Sequence, residues 1–145
     1  ATPTCEFVGV EWRPHLVTVA NKLARDLAIP NVRFICGDAL DVDWGGYDAF
    51  YLYNPFAESL WGETFKLDST IDHEKHDFAS YVAGVRERLA CAPVGTRIVT
   101  YHGYGAPPPL GYELSVCEPG SSQLLELWVK TTPITGEWNT GALEV

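Results

Sequence analysis

The chain has 145 residues, of which 46% are hydrophobic and 20% charged, proportions that are ordinary for a globular domain. No apolar run approaches the roughly 20 residues of a membrane-spanning helix, and no basic segment followed by an apolar run indicates a signal peptide. The formal net charge of -9 disfavours nucleic acid as a partner, because nucleic-acid affinity depends on clustered Lys and Arg. We therefore expect one cytoplasmic domain over residues 1–145 with a small-molecule or protein substrate and no membrane partner.

The four cysteines, Cys5, Cys36, Cys91 and Cys117, are far apart and form no C-x-x-C pair. Three of them lie in apolar strand-like or helix-end contexts. This placement predicts reduced thiols in the core, rather than disulfides or metal ligands.

The first third of the chain alternates strand and helix patterns. Glu6–Val10 is a β-rich run, and Pro14–Ala28 carries apolar residues at helical spacing after a proline that suits the first turn of a helix. Val32–Cys36 is a second short strand. This spacing is typical of a βαβ crossover in a parallel sheet.

The remainder continues the alternation and then changes character. Asp72–Ala92 is predicted to be a second amphipathic helix, and Thr96–Tyr101 a further strand. Tyr112–Cys117 and Leu124–Val129 are separated by a short turn containing Pro119, so they predict an antiparallel hairpin. The tail from residue 132 has no clear period and is predicted to be loop.

The stretch Asp48–Phe56 is an unbroken apolar and aromatic run that stops at Asn54-Pro55. A short run of this kind predicts a strand buried on both faces. Ligands of open α/β sheets bind outside the carboxyl ends of the strands, so Asn54 marks a candidate site.

Four features along the chain resemble the class I S-adenosylmethionine-dependent methyltransferases. They are Gly9-Val-Glu11 before a helix, Gly37-Asp38-Ala39 after the next strand, Asn54-Pro55-Phe56, and the closing hairpin. The resemblance covers about residues 7–130. It implies an α/β fold with a Rossmann-like, mostly parallel sheet, helices on both faces and a C-terminal antiparallel hairpin. The family's glycine-rich first loop is absent, so the chain is expected to be an N-terminally incomplete methyltransferase-like domain.

The resemblance implies S-adenosylmethionine as cofactor, bound by Glu11, Trp12, Asp38 and Ala39, with Asn54 as a further contact. Glu11 would accept hydrogen bonds from the ribose hydroxyls and Trp12 would cover the adenine. Asp38 would accept from the adenine amine while the backbone N–H of Ala39 faces the ring. The competing interpretations are a solvated acid near a helix N-terminus for Glu11 and a turn residue for Asp38.

Asn54, Pro55 and Phe56 resemble the Asn/Asp-Pro-Pro-Tyr/Phe loop with which some methyltransferases hold an amino nitrogen. They are the predicted catalytic residues, with Asn54 orienting the acceptor. Only one proline is present, so the amino-nitrogen substrate class does not follow. The alternative is a turn that ends a strand.

Several other residues admit two interpretations. His102 follows a strand and could be a general base or a structural turn residue. His73 and His76 could present metal ligands, but a solvated helix start is favoured, and no metal site is predicted. Glu58, Trp61, Tyr101 and Tyr104 could line a substrate or pack the fold.

The predicted function is methyl transfer from S-adenosylmethionine to an unidentified acceptor. The alternative is a non-catalytic Rossmann-like assembly or binding module, because a sheet without its first strand would leave edges that pair with another copy. An NAD-dependent dehydrogenase is disfavoured by the absence of G-x-G-x-x-G.

Overall fold

The computed structural model describes residues 5–55 and 77–133, which fall into two compact units. The first unit contains residues 5–43 and 77, and the second contains residues 44–55 and 78–133. The assignment of residues 1–145 to one domain stays a prediction.

The first unit is a parallel strand pair with one helix. Strand β1 (Phe7–Glu11) leads to helix α1 (Pro14–Asp26) and then to strand β2 (Val32–Cys36). The three predicted elements are thereby confirmed, with bounds that differ by at most two residues. A side chain at Gly9 would lie 2.6 Å from the Phe34 ring, so the glycine lets that ring pack over the strand.

Helix α1 ends two residues earlier than its apolar pattern predicts, because the backbone closes it with a Schellman motif. The N–H of Ile29 donates to Ala24 O at 2.9 Å, and the N–H of Ala28 donates to Arg25 O at 3.1 Å. Ala28 adopts a left-handed conformation with φ of 52°. An apolar period cannot reveal this ending, since glycine is the usual residue there.

The second unit is a four-stranded sheet with one helix. The elements are β3 (Ala49–Leu52), α2 (Phe78–Cys91), β4 (Arg97–Tyr101), β5 (Tyr112–Pro119) and β6 (Leu124–Lys130). The strands run in the order β3-β4-β6-β5, with β3 parallel to β4 and the other two pairings antiparallel. The predicted C-terminal hairpin is confirmed, with an irregularity between Leu114 and Val116.

The core of the second unit lies between α2 and one face of this sheet. Val85 and Leu89 of α2 are fully buried, as is Ile98 of β4. The Tyr112 hydroxyl donates to Leu89 O at 3.0 Å, which ties the sheet to the helix. Burial of such side chains supplies most of the unit's stability.

The opposite face of the four-stranded sheet is exposed. Tyr51 is 64% exposed and Tyr53 is 54% exposed, and within β3 only Leu52 is buried. The expectation of a strand buried on both faces was therefore wrong, and so was its length, because β3 ends at Leu52. Successive side chains of a strand alternate between faces, so a helix on one side buries only every second residue.

Three further expectations need correction. The described strands form two sheets, whereas one mostly parallel sheet was expected, and the expected helices on both faces stay a prediction. The four cysteines are free thiols as predicted, but all are exposed and none belongs to the core. Helix α2 begins at Phe78; residues 72–76 of its predicted start lie outside the described residues.

The part of the chain that the structure describes is therefore a mixed α/β protein with two sheets and two helices. Neither of those helices is long and apolar enough to cross a membrane.

Candidate functional site

The carboxyl ends of β1 and β2 bring the predicted cofactor residues together in the first unit. Glu11 lies opposite Cys36 in the parallel register, and the N–H of Gly37 donates to Glu11 O at 3.0 Å. The Cys36 thiol donates to Trp12 O at 3.7 Å. Glu11 and Asp38 therefore leave adjacent strands at the same edge of the sheet, as the sequence predicts.

The Glu11 carboxylate is held by Arg13. Its Oε1 accepts from the backbone N–H of Arg13 at 2.9 Å and from Arg13 Nη1 at 3.2 Å. The Arg13 side chain is 10% exposed and that of Glu11 is 33% exposed, so this ion pair is partly shielded from water. Sequence patterns do not indicate this pairing, because nothing in them distinguishes Arg13 from a surface arginine.

Asp38 closes a short turn. Its Oδ1 accepts from the backbone N–H of Leu40 at 2.8 Å, and Asp41 N donates to Asp38 O at 3.1 Å. This is the Asx geometry that the competing interpretation expected. Ala39 is half-buried within the same turn, and Asp41 and Asp43 are exposed, as predicted. The cofactor roles of Glu11, Trp12, Asp38 and Ala39 stay predictions.

The carboxyl ends of β3 and β4 form a second candidate site, within the second unit. The backbone N–H of Asn54 donates to Gly103 O at 2.9 Å, so the Asn54-Pro55 turn adjoins the loop that contains His102. Asn54 and His102 have φ of 42° and 63°, in the left-handed region. Asn and His adopt this region more often than most non-glycine residues, so both residue types suit the turns that follow β3 and β4. Asn54 and Pro55 are exposed, whereas Phe56 lies outside the described residues.

A polar and aromatic cluster surrounds this turn. We call Tyr53, Tyr101, His102, Ser121 and Ser122 the Tyr101 cluster. The Tyr53 and Tyr101 rings stack with centroids 5.5 Å apart, and the His102 ring lies edge-on to Tyr101 at 4.6 Å. The Tyr101 hydroxyl is 2.9 Å from Ser121 Oγ and 3.2 Å from Ser122 Oγ, and it also accepts from Ser122 N at 3.3 Å.

The turn between β5 and β6 approaches Tyr101 closely enough to make these bonds because residue 120 is glycine. A Cβ at Gly120 would overlap the Tyr101 ring and would lie 2.7 Å from Gln123 O. The hydrogen bonds from Ser121 and Ser122 lower the pKa of Tyr101 to about 8 by stabilising its phenolate. Both serines of the hairpin turn therefore lie within hydrogen-bond distance of one phenolic oxygen.

Sequence reasoning missed the two serines. It assigned residues 118–123 to a turn, and serine is a common turn residue with no special signal. It also left Tyr101 and Tyr104 undistinguished. The structure separates them, because Tyr104 is 1% exposed and its hydroxyl donates to Pro107 O, so Tyr104 packs the fold.

The remaining candidates are possible metal ligands and substrate-lining residues. In residues 5–55 and 77–133, no group of three or more His, Cys, Asp and Glu side chains could hold a metal ion. Four candidates lie outside the described residues: Glu58, Trp61, His73 and His76.

Comparison with solved structures finds similarity to the Escherichia coli protein described as "Putative methyltransferase yhhF", with a TM-score of 0.52 and 10% sequence identity. The match covers 88% of this chain and 64% of that protein, so the chain spans less than two thirds of its length. No protein-family model matches the sequence, and neither does any curated protein. At this identity the likeness shows a methyltransferase-like fold.

Proposed function

We propose that this chain is a class I, Rossmann-like methyltransferase domain that transfers the methyl group of S-adenosylmethionine to a small-molecule or protein acceptor. The observation that carries this proposal is that the parallel pairing of β1 and β2 puts Glu11 and Asp38 at the carboxyl ends of neighbouring strands, in a fold similar to that of a protein described as a putative methyltransferase. Ligands of open α/β sheets bind at such ends.

The chemistry of these donors and acceptors fits an adenosine. Carboxylate oxygens accept hydrogen bonds from ribose hydroxyls or an exocyclic amine, and the half-buried Trp12 offers an apolar surface beside them. Glu11 uses Oε1 for Arg13, which leaves the second carboxylate oxygen for a ligand. When bound, S-adenosylmethionine supplies an electrophilic methyl group, so the protein's part is binding and alignment.

In this proposal Asn54, Pro55 and Phe56 orient the acceptor. The support is the bond that the Asn54 N–H donates to Gly103 O, which holds the turn at the carboxyl end of β3. The net charge of -9 favours an acceptor without a large phosphate array. The four exposed free thiols fit the reducing cytoplasm.

Isothermal titration with S-adenosylmethionine tests the proposal, on this chain and on the complete gene product. Glu11→Gln and Asp38→Asn keep the bonds to Arg13 and Leu40 but remove the charge. Each is expected to weaken binding about tenfold or more, because a hydrogen bond to a charged group contributes about 1.5–3 kcal/mol. Asp41→Asn is the matched control and should bind normally. Absence of binding heat from the complete gene product would overturn the proposal.

The second candidate is an assembly module, and the exposed sheet face favours it. Tyr51 of β3 and Tyr53, just after it, are exposed, and β3 pairs only with β4 among the described strands, so it is an edge strand there. Such an edge can pair with another copy. Sedimentation over a range of concentrations should then show a dimer that Tyr51→Lys abolishes. A monomer at every concentration would count against assembly.

A further inference from the structure

Three side chains of the Tyr101 cluster form a continuous line of hydrogen bonds. The Tyr101 hydroxyl is 3.2 Å from Ser122 Oγ, and Ser122 Oγ is in turn 3.2 Å from His102 Nε2. The line joins the end of β4 to the hairpin turn twenty residues later in the chain. A phenol, a hydroxyl and an imidazole in this order can pass a proton from the phenol to the ring.

We propose that Tyr101 is a catalytic residue that accepts a proton from the methyl acceptor. Ser122 and His102 position Tyr101 and carry its own proton away, and the methyl acceptor has an ionisable O–H, S–H or N–H group. This inference rests on the proposed function, in which S-adenosylmethionine is the methyl donor. It narrows the acceptor class, because a tertiary amine or a thioether has no proton to lose and needs no base.

The Tyr101 phenol would lose its proton to solvent along the line through Ser122 and His102, which leaves a phenolate. The acceptor's bond to hydrogen would then break, with its proton going to the Tyr101 oxygen and the electron pair staying on the acceptor atom. That electron pair would form the new bond to the methyl group that S-adenosylmethionine would supply, and the pair of the broken carbon–sulfur bond would stay on sulfur.

The geometry favours the phenolate from several sides. Ser122 N donates to the Tyr101 oxygen, and Ser121 Oγ lies 2.9 Å from it. His102 has a left-handed backbone, and its ring lies edge-on to Tyr101 at a centroid distance of 4.6 Å.

The titratable groups around Tyr101 in residues 5–55 and 77–133 include Tyr53, Glu126 and Glu118. Tyr53, which follows β3, stacks on Tyr101, and on β6 Tyr101 lies opposite Leu125. The Glu126 carboxylate is bonded to Thr100 and Trp128, whose side chains alternate to the other face of the sheet. Glu118 of β5 lies opposite Leu125, one strand further away.

Titration of tyrosinate by near-ultraviolet absorbance tests the assignment without cofactor or acceptor. The native chain should show one tyrosine ionising near pH 8, which Tyr101→Phe removes. Ser122→Ala should move this step toward pH 10, and Ser122→Thr, which keeps the hydroxyl, should restore it. Tyr51→Phe, which removes an exposed tyrosine from the same sheet face, is the control and should leave the step in place. Circular dichroism establishes that each variant is folded.

The outcomes separate this inference from the proposed function. If the step near pH 8 is missing, or if Ser122→Ala leaves it unmoved in a folded chain, the assignment of Tyr101 is overturned even where S-adenosylmethionine binds. If the step behaves as expected and the complete gene product does not bind S-adenosylmethionine, the proposed function fails and the role of Tyr101 in methyl transfer fails with it.

Discussion

Replacement of Lys130 by methionine should destabilise the second unit strongly, because the lysine closes the C-terminal end of α2 from inside the fold. Lys130 is 2% exposed, and its ammonium donates to Ala90 O and Ala92 O at 2.6 Å each. A longer contact of 3.4 Å reaches Leu89 O. Carbonyls at a helix end have no partner within the helix, so a cation there satisfies them and opposes the helix dipole.

The magnitude follows from what remains after the change. Leu89 O keeps its bond from the Tyr112 hydroxyl, but Ala90 O and Ala92 O lose the ammonium. Hydrogen bonds to a charged group contribute about 1.5–3 kcal/mol each, which gives a loss of about 3–6 kcal/mol. Burial lowers the pKa of Lys130, so part of this is offset by relief of the buried charge and of side-chain ordering, about 2 kcal/mol. A net destabilisation of about 3 kcal/mol is expected.

Urea unfolding followed by circular dichroism measures this change. For a chain of 145 residues, about 3 kcal/mol corresponds to a fall in the melting temperature of roughly 10 °C. Lys22→Met is the control, because Lys22 pairs with Asp26 on the exposed side of α1 and should contribute about 0.5 kcal/mol or less. A loss under about 1 kcal/mol for Lys130→Met would refute the capping argument.

Three further changes test separate features of the fold. Ala28→Gly should stabilise the protein by about 1 kcal/mol in urea unfolding, because glycine adopts the φ of 52° at that helix end without strain. Gly105→Ala should destabilise it by about 2–4 kcal/mol, since φ is 99° and the new Cβ would lie 2.8 Å from Val82 Cγ2. Stability should fall as pH rises from 10 to 12, because burial raises the pKa of Tyr104 and of Tyr112 to about 12 and only the unfolded chain releases those protons in that range.

Each of these predictions has its own control. Ala20→Gly, in the middle of α1, should destabilise by about 1 kcal/mol, the opposite sign to Ala28→Gly. Gly95→Ala shares a positive φ, of 94°, but meets no atom within 4 Å, so equal losses at Gly95 and Gly105 would contradict the packing argument. Tyr104→Phe should reduce the slope of the free energy of unfolding against pH, between pH 10 and 12, by at most about 1.4 kcal/mol per pH unit. An unchanged slope would contradict the contribution of Tyr104.

The positions of several helices and strands depend on neighbouring residues in the chain, so the sequence predicts them. The apolar period and the turn residues located β2 at Val32–Cys36, placed the start of α1 at Pro14, and predicted the hairpin after Tyr112. They also placed Glu11 and Asp38 after adjacent strands, where the parallel register brings them together.

The sequence by itself therefore determined the order of the elements and the position of the candidate residues along them. Only the tertiary structure decided that the described strands form two sheets, that one face of the second sheet is exposed, and that Tyr101 meets Ser122. The contacts of Lys130 with Ala90 span 40 residues. No local pattern encodes such contacts, because they arise when segments distant in the chain compete to bury apolar surface and to satisfy polar groups.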